Sequence, residues 1–531
     1  MKARFYLLIS LFTALFTLLG WNLYGLQIEK GALYTAKVDA QTAYREFKAM
    51  RRGEIYITDK NNANIQVAYA RDFMRIFAVP KDITDDAAAA LMLAPLVGKD
   101  EQKLARAFAN KESEFYPLME KADDATVHAI QSLSLGKGVV FERRPYRFYP
   151  SERLAAQTVG YAGMSDESIE PIGRYGIEKR DEVTLAEGND VHLTLDRTLQ
   201  EKAEQMLAEL IRDHKASGGS ILIQEPKTGK MLAIANAPDF DPNRYGEFNI
   251  ASFVNAAVQG MYEPGSVFKP ITMAAGIDSG ALTPETTYTD TGSVTLNGKT
   301  ITNWDQRAHG LITMTNVIED SVNTGTVFAE RKIGHEIFLS YVKRFGFGEL
   351  TGVDLPDEIR GTLRSLESKN ARAIDFATAS YGQGPAVTPI QLISAFSSIA
   401  NGGLLMKPFV HADESPHIVR RVMAEETAGK VTRMMESAVR KANVAAIPNY
   451  RVAGKTGTAF VARNGRYSDD LIHSYVGFAP ASEPRFTILI KLDLPDKPLA
   501  GITVVPKFKQ LAQSILTYYE IAPDALITSK P

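Results

Sequence analysis

No cysteine occurs among the 531 residues, which excludes disulfides, thiolate zinc sites, iron–sulfur clusters and a cysteine nucleophile. Neither sign of charge dominates. Sixty Lys and Arg stand against 62 Asp and Glu, a net charge of −2, so no global basic field marks the chain for nucleic acid. Internal repeats and low-complexity tracts are missing, and beyond residue 27 no stretch is long and apolar enough to span a bilayer. A polytopic transporter is therefore excluded. With 45% hydrophobic and 23% charged residues the chain is not wholly disordered either. Its length exceeds what one hydrophobic core organises, so two or more domains are expected.

What is present begins at the N-terminus. Lys2 and Arg4 precede an uncharged stretch that runs to Gln27. Phe5–Leu26 as a helix reaches about 33 Å, enough for a hydrocarbon core of ~30 Å. The positive flank places residues 1–4 in the cytoplasm and everything after residue 27 outside it. A cleaved signal peptide begins with the same charges, but a small-residue cleavage motif does not follow promptly here. An uncleaved anchor over 5–26 is the expectation.

From Ile28 to Val191 short strand-like runs, Glu54–Thr58 and Phe73–Val79, alternate with helical segments at Asp85–Val97 and Leu104–Ala107. Val139–Tyr149 interleaves Arg143, Arg144 and Arg147 with aromatics. Such a strip suits a nucleic-acid surface, but a solvated strand face or an interdomain contact is the commoner cause. Acidic residues 181–190 end in Gly188-Asn189-Asp190, a domain boundary. Arg197–Lys215 reads as an amphipathic helix with Leu199, Ala203, Met206, Leu207, Leu210 and Ile211 on one face. Ser220–Gln224 and Met231–Ala235 flank a hairpin turn at 226–229. Tyr475–Phe478 and Phe486–Leu492 are strand-like, and a helix over Phe508–Tyr519 follows. Helix and hairpin first, strands and helix last, predict an α+β domain whose ends meet in one antiparallel sheet.

Three short patterns carry chemistry. Glu263-Pro264-Gly265 makes a sharp entry to Ser266, at a helix start where unpaired N–H groups favour negative charge. Lys269 returns to the same face one turn on, and a desolvated lysine is neutral enough to activate a serine. Ser321-Val322-Asn323 and Lys455-Thr456-Gly457 follow in order. Each pattern has decoys. Ser340/Lys343 lies in an amphipathic run with no elbow, Ser368-Lys369-Asn370 repeats Ser-x-Asn, and Lys227-Thr228-Gly229 is the hairpin turn. Gly454-Lys455-Thr456 is no phosphate loop, because Asn449 stands where that loop needs glycine.

The ordered set resembles the motifs of penicillin-binding proteins and serine β-lactamases, and the chain is similar to the class B, monofunctional penicillin-binding proteins, which are peptidoglycan D,D-transpeptidases. Arg52-Gly53-Glu54-Ile55, Tyr175-Gly176-Ile177-Glu178, Leu193-Thr194-Leu195-Asp196, Tyr381-Gly382-Gln383-Gly384 and Val387-Thr388-Pro389 match further landmarks of that family. His473–Pro480 most resembles its septal, cell-division branch. Two departures stand out: Phe460 replaces a commonly polar residue, and Val322 occupies the middle of Ser-x-Asn, which this class permits.

The resemblance implies a five-stranded antiparallel sheet flanked by helices over 192–525, after an elongated α+β pedestal of the dimerisation type over 28–191. It implies Ser266 as nucleophile, Lys269 as its base and Ser321 as proton relay. Asn323, Lys455, Thr456, Gly457 and Thr458 would bind substrate, and the backbone N–H groups of Ser266 and Thr458 would form the oxyanion hole. No cofactor or metal is implied. The implied partners are peptidoglycan stem peptides, β-lactam antibiotics, a polytopic SEDS-family glycosyltransferase and other cell-wall synthesis membrane proteins. The implied location is the bacterial inner membrane, with the catalytic domain periplasmic. An elongation-type transpeptidase, a β-lactamase or D,D-carboxypeptidase, and a non-catalytic penicillin sensor or scaffold are the alternatives. Intact Ser266, Lys269 and Lys455 argue against a silent scaffold.

Overall fold

The computed structural model describes residues 51–463 and 466–525, apart from 134, 166 and 167, with positions 12, 13, 15–17, 19, 21 and 24 near the N-terminus. Those N-terminal positions are helical, but most of the expected anchor over 5–26 lies outside the described residues. Among the described residues no helix is long and apolar enough to cross a membrane.

The chain forms two compact units. The smaller one includes Ala70–Arg147 and Val183–Asn189. Its helices Asp86–Val97, Glu101–Phe108 and Asp124–Ser132 are each started by an aspartate, Asp85, Asp100 or Asp123, whose side chain accepts from the first-turn backbone. Ala90, Leu93, Leu104, Phe108 and Ile130 pack with Ile76 and Leu118 in its core. The basic-aromatic strip forms the strand Val139–Phe148. Arg144 pairs with Glu142 of the same strand at 2.9 Å, Arg147 Nη1 donates to Gly53 O at 2.6 Å, and Lys121 lies over the Tyr146 ring. That is a strand face laced by ion pairs and aromatic contacts.

The larger unit is built on α1 (Arg197–His214), β1 (Gly218–Gln224) and β2 (Met231–Ala237). Next come α2 (Lys269–Asp278), α3 (Met314–Glu319), α4 (Asn323–Ile333), α5 (Pro389–Ala400) and α6 (Glu425–Ala442). The chain closes with β3 (Ala453–Arg463), β4 (Arg466–Ala479), β5 (Phe486–Asp493) and α7 (Val504–Tyr518). Five strands form one sheet in the order β3-β4-β5-β1-β2, antiparallel throughout. The ends of the domain meet where β5 pairs with β1, Ile488 opposite Ile223.

The central strands are apolar on both faces because both faces are covered. Leu199 and Leu207 of α1 and Phe508 and Ile515 of α7 pack with Ile221, Ile223, Ile488 and Ile490. On the other face α5 is buried along nearly its whole length. It is started by a capping box between Thr388 and Gln391 with Pro389 in the first turn, and Ser397 Oγ donates to Gln224 Oε1 at 2.7 Å. The expected apolar face of α1 is the buried one, with Ile211 half-buried at its edge.

The strand expected over Phe73–Val79 runs from Ile65 to Ala78, and in the larger unit two elements begin four or more residues before the sequence reading. β4 begins at Arg466, well before Tyr475, because its first part pairs with β3 alone; pairing with β5 starts only at Ile472 opposite Asp493. A two-stranded arm beyond the core has no need of apolar alternation, and Ser468, Asp469 and Asp470 supply none. α7 likewise begins at Val504, four residues before Phe508.

Candidate active site

The elbow before Ser266 is held by backbone. Tyr262 and Val387 exchange two hydrogen bonds, N to O at 3.0 and 2.9 Å, and Gly265 N donates to Gly382 O at 3.0 Å. Gly265 takes the left-handed conformation (φ 61°) that turns the chain sharply. A short 3-10 turn, Gly265–Phe268, then runs into α2. Ser266 is half-buried at its start, and Lys269 is wholly buried as the first residue of α2.

β3 is the edge strand of the sheet and lies against this elbow. A Cβ on Gly457 would stand 2.9 Å from Pro264 O and 2.5 Å from Ser474 Oγ, so only glycine lets the strand approach. A Cβ on Gly265 would meet Thr458 O at 3.2 Å. The first and third motifs therefore touch through glycines.

The second motif enters between α3 and α4. Ser321 is a non-glycine residue in the left-handed region (φ 57°), and Val322 beside it is fully buried. The middle position of Ser-x-Asn faces the core, which explains why valine serves there. With that backbone, Ser321 presents both its carbonyl and its hydroxyl to Lys269.

Lys269 Nζ donates to Ser321 O, to Ser321 Oγ at 3.1 Å and to Asn323 Oδ1 at 2.8 Å. Lys455 Nζ donates to the same Ser321 Oγ at 3.0 Å and to Thr456 Oγ1 at 3.3 Å. One hydroxyl thus bridges two buried lysines. Asn323 Nδ2 donates to Thr302 O at 2.9 Å, which fixes the orientation of the amide. Burial, then the nearby Lys455 charge, pushes the Lys269 ammonium well below the usual lysine range. Burial alone pushes Lys455 down to about 7.

Lys269, Ser321, Asn323, Lys455 and Thr456 form one hydrogen-bonded set, with Gly457 and Thr458 on the adjoining strand. Ser266 stands apart: among the described residues no hydrogen bond joins its hydroxyl to Lys269, whose three contacts all go to the second motif. Phe460 lies on the outer part of β3, 46% exposed. The decoys fall away from the site. Ser340 is exposed on the helix His335–Arg344, and Lys343 pairs with Glu367 at 2.7 Å. Lys227 pairs with Glu483 at 2.8 Å in the β1–β2 turn. Ser368 Oγ accepts from Asn370 N within a loop. Sequence reasoning missed Thr302, which acts through its carbonyl and so leaves no side-chain signal. It noted Gly382 only as a landmark, not as a support of the elbow.

Residues 219–513 match the family described as Penicillin binding protein transpeptidase domain, and residues 48–206 match the Penicillin-binding Protein dimerisation domain. Stage V sporulation protein D of Bacillus subtilis is 29% identical, covering 84% of this chain and 74% of that protein. The peptidoglycan D,D-transpeptidase FtsI of Escherichia coli K12 is 28% identical, covering 89% and 84%. The probable peptidoglycan D,D-transpeptidase PenA of Neisseria gonorrhoeae is 27% identical, covering 89% and 86%. The crystal structure of a peptidoglycan synthetase from Bifidobacterium adolescentis superimposes with a TM-score of 0.67 at 25% identity, covering 90% of this chain and 97% of that one.

Proposed function

This chain belongs to the penicillin-binding protein transpeptidases, and on that premise we propose that it cross-links peptidoglycan stem peptides as a class B enzyme, through an acyl group carried on Ser266. The observation that carries the reading is the Ser321 hydroxyl held between two buried lysines, 3.1 Å from one and 3.0 Å from the other.

As an ammonium Lys269 donates all three hydrogens, to Ser321 O, Ser321 Oγ and Asn323 Oδ1. Loss of the hydrogen directed at Ser321 Oγ leaves a neutral amine whose lone pair accepts from the Ser321 hydroxyl, while Lys455 still donates to that oxygen. Rotation of the Ser321 hydroxyl frees the lone pair for the proton of Ser266. Ser266 Oγ then attacks the carbonyl of the penultimate D-alanine, with the developing oxyanion received by the Ser266 and Thr458 N–H groups, an interaction of ~2.7–4 kcal/mol per donor. Ser321 gives its hydroxyl proton to the leaving D-alanine amine as the C–N bond breaks and takes in its place the proton that Lys269 received from Ser266. The acceptor amine of a neighbouring strand attacks the ester carbonyl, loses its proton by the same route and releases Ser266. Asn323 bonds the substrate backbone, and Lys455 with Thr456 holds the terminal carboxylate.

Covalent labelling tests the nucleophile. A labelled penicillin is expected to form one adduct, mapped to Ser266 and never to Ser340; acylation of Ser266→Ala would sink the assignment.

The Lys455 assignment has a pH signature. With its ammonium pushed down to about 7 by burial, a bound carboxylate must raise that value, so binding takes up a proton when the pH exceeds it. The half-saturating concentration of a penicillin should therefore rise with pH above about 7. The limiting acylation rate should not fall over that range, since burial and the nearby Lys455 already favour the neutral Lys269 amine and rising pH favours it further. Lys455→Arg should flatten the binding profile, because guanidinium stays charged. A flat wild-type profile would contradict the role.

We further propose β-lactam inhibition, supported by the match to the penicillin binding protein transpeptidase domain, and a septal role, supported by the likeness of residues 473–480 to the division branch. Residues 5–26 are proposed as a single-pass inner-membrane anchor, 28–191 as the pedestal and 192–525 as the periplasmic catalytic domain, with a SEDS-family glycosyltransferase as membrane partner. Carbonate extraction with N-terminal sequencing checks the anchor: the expected result is an intact N-terminus in the membrane pellet, and a soluble form starting after residue 20 would overturn it.

A further inference from the structure

Asp290 is almost wholly buried, at 2% exposure, and plays no part in the chemistry above. It ends the strand Thr287–Asp290, which pairs with Gly310–Thr313; a second hairpin, Ser293–Leu296 with Lys299–Thr302, lies between them in sequence. Each carboxylate oxygen accepts two hydrogen bonds. Oδ1 takes Thr324 Oγ1 at 2.7 Å and Gly292 N at 3.0 Å; Oδ2 takes Asn303 Nδ2 at 2.8 Å and His309 N at 2.9 Å. Burial raises the carboxyl pKa, but these four donors outweigh it and hold the group below the ordinary value. It is a carboxylate at neutral pH.

Two of the donors border the substrate-binding amide. Thr324 follows Asn323 directly, and Asn303 follows Thr302, whose carbonyl takes Asn323 Nδ2 at 2.9 Å. Asn303 Oδ1 in turn accepts from Thr324 N at 3.2 Å. The same loop reaches the residue before Ser321, since Trp304 Nε1 donates to Asp320 O at 3.0 Å. The start of α4 and the loop after Thr302 are therefore tied at one buried charge.

We propose that Asp290 is a positioning residue, which sets the amide of Asn323 for substrate and for Lys269 by fixing the spacing between Thr302 and Thr324. The inference rests on the acyl-transfer reading of the site. In Asp290→Asn either amide orientation turns an NH₂ group toward two donors, so the hub cannot be rebuilt by a flip. Thr324→Val removes the hydroxyl at nearly constant shape, and Thr324→Ser keeps it.

The test is fluorescent-penicillin acylation of the full chain over a concentration series, with the labelled fraction recorded alongside. Asp354→Asn is the comparator. Its carboxylate is also buried and accepts from Val410 N and His411 N at 2.7 and 2.8 Å, but it bonds to none of the three motifs. Asp290→Asn and Thr324→Val are expected to raise the half-saturating concentration about tenfold or more. Thr324→Ser should stay within about twofold of wild type, and Asp354→Asn should lower only the labelled fraction. A folding defect removes molecules from the labelled pool and leaves half-saturation of the rest unchanged. If Asp290→Asn yields no folded protein, the Thr324→Val and Thr324→Ser pair decides alone. Wild-type half-saturation in Asp290→Asn and Thr324→Val overturns the proposal, as does a change confined to the labelled fraction. Failure of the wild type to acylate at Ser266 would instead overturn the function on which it rests.

Discussion

Lys269→Arg is expected to slow acylation of Ser266 by about 10³-fold, the range of a lost general base, while the protein still folds. The side chain is fully buried, and its nitrogen meets three acceptors from the second motif. Burial and the nearby Lys455 drive it toward the neutral amine, and that state alone offers a lone pair to a serine proton. Guanidinium does not release its proton in a protein, so arginine keeps the charge and removes the base. Lys455→Arg separates charge from base. There the loss should fall on binding, with half-saturation raised about tenfold and the limiting rate largely kept. Stopped-flow acylation over a concentration series distinguishes the two. Acylation of Lys269→Arg at the wild-type rate would mean that another group takes the proton.

Gly382→Ala carries the second large effect, through backbone alone. Gly382 has φ 84°, where a side chain is strained, and a Cβ would stand 2.2 Å from Gly265 O and 2.7 Å from Gly265 N. Neither neighbour can swing aside as a flexible side chain would. Either the Gly265 N to Gly382 O hydrogen bond breaks or the elbow carrying Ser266 moves. Stability should drop by ~3 kcal/mol or more. Molecules that do fold should acylate roughly 10²-fold more slowly, the usual consequence of a nucleophile displaced by about 1 Å. Thermal unfolding with acylation kinetics checks both. Gly384→Ala is a useful contrast, because its nearest neighbour is the Ser365 hydroxyl at 3.2 Å; it should be milder. Equal effects at the two glycines would show that backbone collision at the elbow is not the cause.

The three motifs were legible because their chemistry fixes residue type and spacing: a lysine one turn after a serine, a serine two before an asparagine, and a glycine where a strand must approach closely. The apolar face of α1 was legible from its period, and the hairpin that follows from its turn residues. Less visible was anything set by partners far along the chain. Lys269 was expected to face Ser266, yet its contacts go to Ser321 and Asn323, more than fifty residues on, because the left-handed Ser321 brings two acceptors to one point. Thr302 works through a carbonyl, and Gly382 through the absence of a side chain. Asp290 reads in sequence as one acid among many; its four donors converge only once two hairpins have folded beside α4. The outer half of β4 escaped notice because an arm paired on one side carries no apolar alternation. Nothing local marked any of these.

The most direct measurement is the fate of the acyl group. The full-length protein is given a stem peptide ending in D-alanyl-D-alanine and an acceptor amine, and three quantities are followed together: released D-alanine, the ester on Ser266 and the new amide product. The expected result is one D-alanine released per acyl group, an ester found on Ser266 alone, and transfer of that group to the amine in preference to water, all absent in Ser266→Ala. Amide product formed by Ser266→Ala, or an ester that passes only to water however much acceptor is supplied, would contradict transpeptidation through Ser266.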